Sequence, residues 1–397
     1  MNRCWKKLTA GCALALFATF SLFANAATND YQLNVVLSLT GRFAFLGKAE
    51  QHSLELLQKA VNADGGIRGR PLQYKFYDDQ SSPQTAVQMA TEVLAAHPAV
   101  MMGPSIVAMC NAVAPLVQKS GPVQYCMSPG IHPAKGSYVF TSGVSTIDQG
   151  NTLIRYFRLK GWKRIAIMTS TDASGQDAER GLESVLKLPE NKDIKVVENV
   201  HFNITDVSVA AQIERVKAAK PQAFIAWSTG APVATVFKGI VQAGLNVPVA
   251  TTDGNMTYAQ MKQYAAFLPK DLYFPSGQWI SNGTGPEFPP AVKKAQEKLL
   301  STFKAVNESP DEGGMLAWGP GTLLVDALRS IGPEATATQL RDYLAHLKNA
   351  PGVNGMYDFV SVPQRGLGVK NIVVTRWNAA NKHWDVVSQP TGIPLAH

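Results

Sequence analysis

Between Asn34 and Ser105 the chain reads NVVLSLTGRFAFLG, a helical stretch to Asn62, DGGIRGRPLQYKFYDDQSSP, a second helical stretch, and VMMGPS. Short apolar runs that suit buried strands alternate with segments of helical periodicity, the pattern of βαβ units around a parallel sheet. Open sheets of this kind take ligands beyond the carboxyl ends of their strands. The loops SLTG, YDDQSSP and GPS are therefore where function is expected.

The rhythm occurs twice. A first set of strands is predicted at Leu33–Leu39, Leu72–Tyr77, Val100–Met102, Val123–Met127 and Val139–Thr141. A second set follows at Arg164–Ser170, Lys195–Val200, Ala223–Trp227, Val249–Thr251 and Leu272–Phe274, with helices near Asp148–Leu159, Ser174–Val185, Val207–Ala219 and Ala231–Ala243. Ser82-Pro83 is a helix start, a cap residue before a proline at the first helical position. Gly65-Gly66, Gly161 and Gly244 stand where helices should stop. After the Gly/Pro-rich passage Phe274–Pro290 come helices near Ala291–Ala305, Gly314–Ile331 and Thr336–Leu347, then a strand-rich tail. Such a late return to helices and then strands predicts more than one crossing between lobes, which favours clamshell closure. The expected fold is α/β: two Rossmann-like lobes with parallel sheets flanked by helices, joined by a multi-crossover hinge. Lobe 1 is expected to comprise 27–143 with 278–354, and lobe 2 to comprise 144–277 with 355–397.

The ends and the composition narrow the function. Residues 1–26 read as a signal peptide: Arg3, Lys6 and Lys7 precede the apolar run Leu8–Phe23, and Ala24-Asn25-Ala26 is a small-x-small cleavage site. Cys12 precedes most of that run, the reverse of a lipoprotein processing site. No later segment is long and apolar enough to span a bilayer, so the mature chain is expected in the periplasm, beginning near Ala27. The formal charge of +8 falls to +5 when the three leader cations leave, and the remainder is spread without Lys/Arg blocks. That gives no clustered nucleic-acid footprint. Of the four cysteines, Cys110 and Cys126 stay in the mature chain. Cysteines of an oxidising compartment pair more often than they remain free. A helix and the strand after it are neighbours in a βαβ unit, so a bridge is sterically open, with free thiols the alternative. Neither cysteine has the partners of a nucleophile, and no spacing suits zinc; no cofactor is expected.

SLTGRFAFLG, NADGGIRGRPLQYKFYDDQSSPQTAV, GPS, YCMSPGIHP, TSTDASGQD, AGLNVPVATTDG and the closing NGMYDFV…RG resemble, in order and across essentially the whole mature chain, the periplasmic solute-binding proteins of branched-chain amino-acid ABC transporters. The resemblance implies a type I clamshell that binds a small carboxylate ligand and docks transiently on an inner-membrane permease as a monomer. Gly103-Pro104-Ser105 reads as a strand end that opens a helix, and Ser128-Pro129-Gly130 repeats the arrangement; helix starts bind carboxylates through free backbone N–H groups, and the resemblance makes these two loops holders of the ligand's carboxylate and amine. Residue by residue, Val107 stands where leucine binders carry a hydroxyl, Gly130 at the carbonyl contact to the ammonium, and His132 at a threonine touching both charged ends. Ser174 and Thr229 match two tyrosine positions, and Asp253 matches the acid that pairs with the ammonium. Phe45, Leu46, Trp227 and Trp318 are candidates for an apolar wall that would admit a branched or aromatic acid.

Each of these residues also has an ordinary structural role: loop histidine for His132, turn residue for Asp253, core for the tryptophans. Binding for transport is the leading expectation. A periplasmic sensor built on the same clamshell is the alternative. An exported enzyme is disfavoured, because no G-x-S-x-G elbow is present and Gly65–Gly69 leads into a strand rather than a phosphate-binding helix.

Overall fold

In the computed structural model, which describes residues 30–281 and 287–396, the first βαβ rhythm folds as β1 (Tyr31–Leu37), α1 (Ala44–Ala63), β2 (Leu72–Asp78), α2 (Pro83–Leu94), β3 (Val100–Met102), α3 (Val107–Val117), β4 (Val123–Cys126) and β5 (Val139–Thr141). The expected signal peptide lies outside the described residues. All five strands are parallel, in the order β2-β1-β3-β4-β5.

The second rhythm repeats the plan. After α4 (Thr146–Leu159) come β6 (Arg164–Ser170), α5 (Ala173–Leu186), β7 (Lys195–Phe202), α6 (Ala210–Ala218), β8 (Ala223–Trp227), α7 (Val233–Gln242), β9 (Val249–Ala250), α8 (Tyr258–Gln263) and β10 (Leu272–Gly277). Their order, β7-β6-β8-β9-β10, is that of the first sheet again. In both sheets the winding reverses beside the first strand, and the crevice at such a switch point is the ligand position of open α/β sheets.

The remaining elements cross between the two sheets. Helices α9 (Pro290–Lys304), α10 (Glu312–Ile331) and α11 (Ala337–His346) return to the first, with α10 along α1 and α11 against β4. A separate hairpin, β11 (Lys348–Gly352) with β12 (Gly355–Asp358), follows. Then β13 (Ile372–Asn378) and β14 (His383–Val386) join the second sheet beside β10, both antiparallel to their neighbours. That sheet is therefore mixed, not purely parallel, because strands arriving from the other lobe are not bound to a βαβ crossover. The chain passes between sheets three times: after Thr141, after Gly277, and between Asp358 and Ile372.

Local chemistry explains the placement of the helices at the cleft. Ser82 caps α2 by accepting from the Thr85 amide, ahead of Pro83. Asp172 caps α5 by accepting from the Gly175 amide, and Ser145 caps α4 through the Asp148 amide. In each lobe the helix after the first strand begins with a glycine pressed on that strand's end. A Cβ on Gly47 would lie 2.2 Å from the Ser38 carbonyl oxygen, and one on Gly175 1.8 Å from that of Ser170. No side chain fits there, so both helix starts sit directly over the switch point.

Two expectations about the loops are corrected. Ser105 does not open a helix: α3 begins at Val107, its N-cap Ile106 makes no side-chain cap, and the Ser105 hydroxyl is hydrogen-bonded to Glu50 instead. Nor does Ser128-Pro129-Gly130 start a helix; the chain stays irregular as far as β5. The carbonyls of Pro129 and Ile131 are held by the Arg365 guanidinium at 3.0 and 2.7 Å, a tether that fixes the loop without regular structure. Cys110 on α3 and Cys126 on β4 are joined, with Cα atoms 6.0 Å apart, an ordinary disulfide separation.

Candidate functional site

The two switch points face one another across a closed cleft. Leu46, Ser105, Val107, Ser128 and Gly130 line it from the first sheet's side, and Ser174, Trp227, Thr229 and Asp253 from the second's. The space left among them is ≈ 20 Å³, room for about one water. Several contacts bridge the lobes around it. The Ala231 amide donates to the Arg42 carbonyl at 2.9 Å, and His132 Nε2 lies 2.8 Å from Asp177 Oδ1 on α5. Gly130 is wedged between the lobes: a Cβ there would stand 2.6 Å from Val107 Cγ2 and 3.3 Å from Asp177 Oδ2.

Three expected contacts lie elsewhere. Phe45 is turned to Tyr264, ring centroids 5.7 Å apart. Consecutive residues on a helix point about 100° apart, so Leu46 faces the cavity and Phe45 does not. His132 is outside the cavity with its side chain 46 % exposed, drawn off by Asp177. Trp318 is buried in the core against Phe303, 5.9 Å between centroids. In their place the fold brings Ile106, Pro129, Thr146, Thr252, Gly254 and Leu316 into the lining. The Ser145 cap before Thr146 is legible in the sequence as a helix start beyond a strand. Leu316, on α10, has no local signal.

The walls differ in chemistry. Asp253 is 3 % exposed. Its Oδ1 accepts from the Thr252 hydroxyl at 2.9 Å and the Gly254 amide at 2.8 Å, while Oδ2 accepts from Gln149 Nε2 at 2.7 Å. Burial pushes its pKa up to about 6, although these donors and the Arg365 charge pull the other way. Beside it, Ser174 and Thr229 share a hydrogen bond of 3.0 Å. Glu312, at the start of α10, accepts through Oε2 from the Ser276 hydroxyl at 2.9 Å, the Gly277 amide at 3.0 Å and the Trp279 indole N–H. Burial, with the Asp253 charge adding to it, raises Glu312 to about 8.

Arg365 is the cation behind the first wall. It donates to the Pro129 and Ile131 carbonyls and, at 3.4 and 3.2 Å, to those of Ser142 and Gly143 where the chain first leaves the lobe. Burial lowers its pKa to about 10, against the attraction of Asp148, Asp177 and Asp253, so it stays charged at neutral pH. Among the described residues no group of His, Cys, Asp and Glu could hold a metal ion, and no helix is long and apolar enough to cross a membrane.

Two lobes of repeated topology, three crossings and a lined cavity between paired switch points define the architecture. The sequence model described as "Periplasmic binding protein" matches residues 31–382. The chain belongs to this family. Among curated relatives of this periplasmic binding protein, the Leu/Ile/Val-binding protein of Escherichia coli K12 is 28 % identical over 193 residues, 47 % of this chain and 51 % of the relative. A Leu/Ile/Val-binding protein homolog 3 of Brucella melitensis is 33 % identical over 78 residues, 20 % of this chain and 21 % of the relative. The chain thus spans about half or less of the length of the curated relatives it matches. Solved structures cover it nearly end to end. An extracellular ligand-binding receptor from Rhodopseudomonas palustris HaA2 superposes with a TM-score of 0.78 at 19 % identity, over 89 % of this chain and 99 % of the other. LivJ from Streptococcus pneumoniae, solved with isoleucine, gives 0.74 at 20 % over 90 % and 99 %. An R. palustris ABC-transporter solute-binding protein, solved with benzoate, gives 0.74 at 17 % over 93 % and 98 %. These likenesses establish the type I binding-protein fold.

Proposed function

We propose that this protein is the substrate-binding component of an ABC importer, exported to the periplasm as a monomer. It closes its lobes on a small carboxylate and presents the closed form to an inner-membrane permease, without chemical turnover. The lobes are taken as 27–143 with 278–354, and 144–277 with 355–397. The observation that carries the reading is the convergence of both switch points on one enclosed cavity. There the uncapped start of α3 offers backbone N–H groups to an acceptor, and Asp253 offers a carboxylate opposite.

A ligand with carboxylate and ammonium ends would satisfy both walls, because a buried unpaired charge costs several kcal/mol. An aromatic or aliphatic acid would lie against Trp227 and Leu46 and leave Asp253 to its three internal donors. The solved relatives provide one precedent for each, isoleucine and benzoate. The closed cavity holds about one water, so ligand entry requires the lobes to part, and affinity is linked to the closed population. Thermal shift against a panel of amino acids and aromatic acids tests the reading. At least one small carboxylate should raise Tm in a concentration-dependent way; no stabilisation across the panel overturns it.

A further inference from the structure

Ser105 lines the cavity, and behind it stands an acid with no counter-charge. Glu50, on α1, is 0 % exposed. Its Oε2 shares a short hydrogen bond with Ser105 Oγ, and its Oε1 has no partner. Among the described residues no cation forms an ion pair with it. The neighbouring acid is Asp79, also 0 % exposed, with Oδ1 held by the Ser38 hydroxyl at 2.7 Å and the Ser81 amide at 2.8 Å and Oδ2 bare. An ionised carboxyl in such a place would be a buried charge with one oxygen unsolvated and a second acid beside it, and such a group keeps its proton instead. In agreement, burial pushes the Glu50 carboxyl well above its ordinary range, and Asp79 adds to the rise.

Protonation changes what Ser105 offers the ligand. A hydroxyl has one proton to donate and two lone pairs that accept. Beside an ionised Glu50, Ser105 must spend its proton on the carboxylate and present only lone pairs to the cavity. Beside a neutral Glu50, the acid's own O–H donates to Ser105 Oγ and the serine proton is released toward the cavity. We propose that Glu50 is a specificity-determining positioning residue, a neutral acid that turns the Ser105 hydroxyl into a donor and so selects ligands presenting an acceptor, a carboxylate, at the first wall. The proposal rests on the reading of the cavity as a carboxylate site. It sets the two walls in opposite senses, donors at Ser105 and α3, acceptors at Asp253.

Infrared difference spectroscopy of the ligand-free full-length protein at neutral pH decides where the proton is. Glu50→Gln should remove one protonated-carboxyl C=O band, and Ser105→Ala should shift that band without removing it. A spectrum in which Glu50→Gln removes ionised-carboxylate intensity instead overturns the proposal, as does a band indifferent to Ser105→Ala. Calorimetric titration with benzoate and L-isoleucine tests the selection. For whichever probe the native protein binds, Glu50→Met should weaken binding on the order of tenfold, the loss of one charge-assisted hydrogen bond. Glu50→Gln, whose amide N–H donates to Ser105 in the same sense, should restore it. Equal affinity for the Met variant and the native protein overturns the selective role. If the native protein binds neither probe, the acid that most raises Tm in the panel replaces them; if none does, the carboxylate-site reading falls, and the infrared pair still decides the proton.

Discussion

The two walls of the cleft are built on the same strand order and do opposite things. On the first, Leu46, Ile106, Val107 and Gly130 present apolar surface and backbone beside the hydroxyls of Ser105 and Ser128, while Glu50, which holds Ser105, and Arg365, which holds the Pro129 and Ile131 carbonyls, stand behind the lining. On the second, Ser174, Thr229, Thr252 and Asp253 put hydroxyls and a carboxylate into the lining itself. Topology therefore supplies the position of a site, while the residues at the strand ends set its polarity. The first wall is fixed by groups that stand outside the lining; on the second, Ser174 bonds Thr229 and Thr252 bonds Asp253 within the lining itself.

That contrast is most exposed at Arg365. Its replacement by Met leaves four carbonyls without their donor and should cost about 4 kcal/mol, read by urea unfolding, with the 129–131 loop gaining hydrogen exchange; an unchanged loop would break the asymmetry. Next comes the disulfide, which ties α3 to β4 and so holds both first-wall loops together. Cys110→Ser with Cys126→Ser opens a link between residues 16 apart in sequence and should cost about 3 kcal/mol, checked by the same titration.

A pH effect probes the buried acid that ties α10 to the end of β10 behind the cavity. Glu312 keeps its proton up to about pH 8 in the fold, against an ordinary 4.5. The folded state binds more protons in that interval, so stability falls as pH rises through it. Glu312→Gln removes the effect. The native protein should lose roughly 3 kcal/mol relative to the variant between pH 5 and 8, and parallel pH profiles would contradict the assignment. Gly130→Ala places a methyl where the lobes meet and should penalise closure by roughly 1–2 kcal/mol, seen as a larger radius of gyration in small-angle scattering. Smallest is His132→Ala: an interlobe pair whose histidine is half exposed should contribute under about 1 kcal/mol to stability.

Much of this molecule is legible locally. Val100–Met102, Val139–Thr141, Arg164–Ser170 and Ala223–Trp227 form strands with the expected ends, because continuous apolar runs stopped by glycine, proline or polar caps leave little freedom in placing a buried strand. The nine expected lining residues that do meet in the cavity are those fixed to strand ends or helix starts, where local chemistry sets position. Phe45 and Leu46 were indistinguishable until the register of α1 chose one. His132 was claimed by a carboxylate on the other lobe, and Trp318 by the core of its own.

Sequence alone determined the repeated βαβ plan, the punctuation of its helices and hence the strand ends that line the cleft, since all of these follow from periodicity and turn chemistry within a few residues. Only the tertiary structure decided the electrostatic state of the site. The partners of Ser105, Asp253 and the 129–131 loop come from Glu50, Gln149 and Arg365, which are 55, 104 and more than 230 residues away. Desolvation depends on what packs around a group in space, which no local pattern encodes.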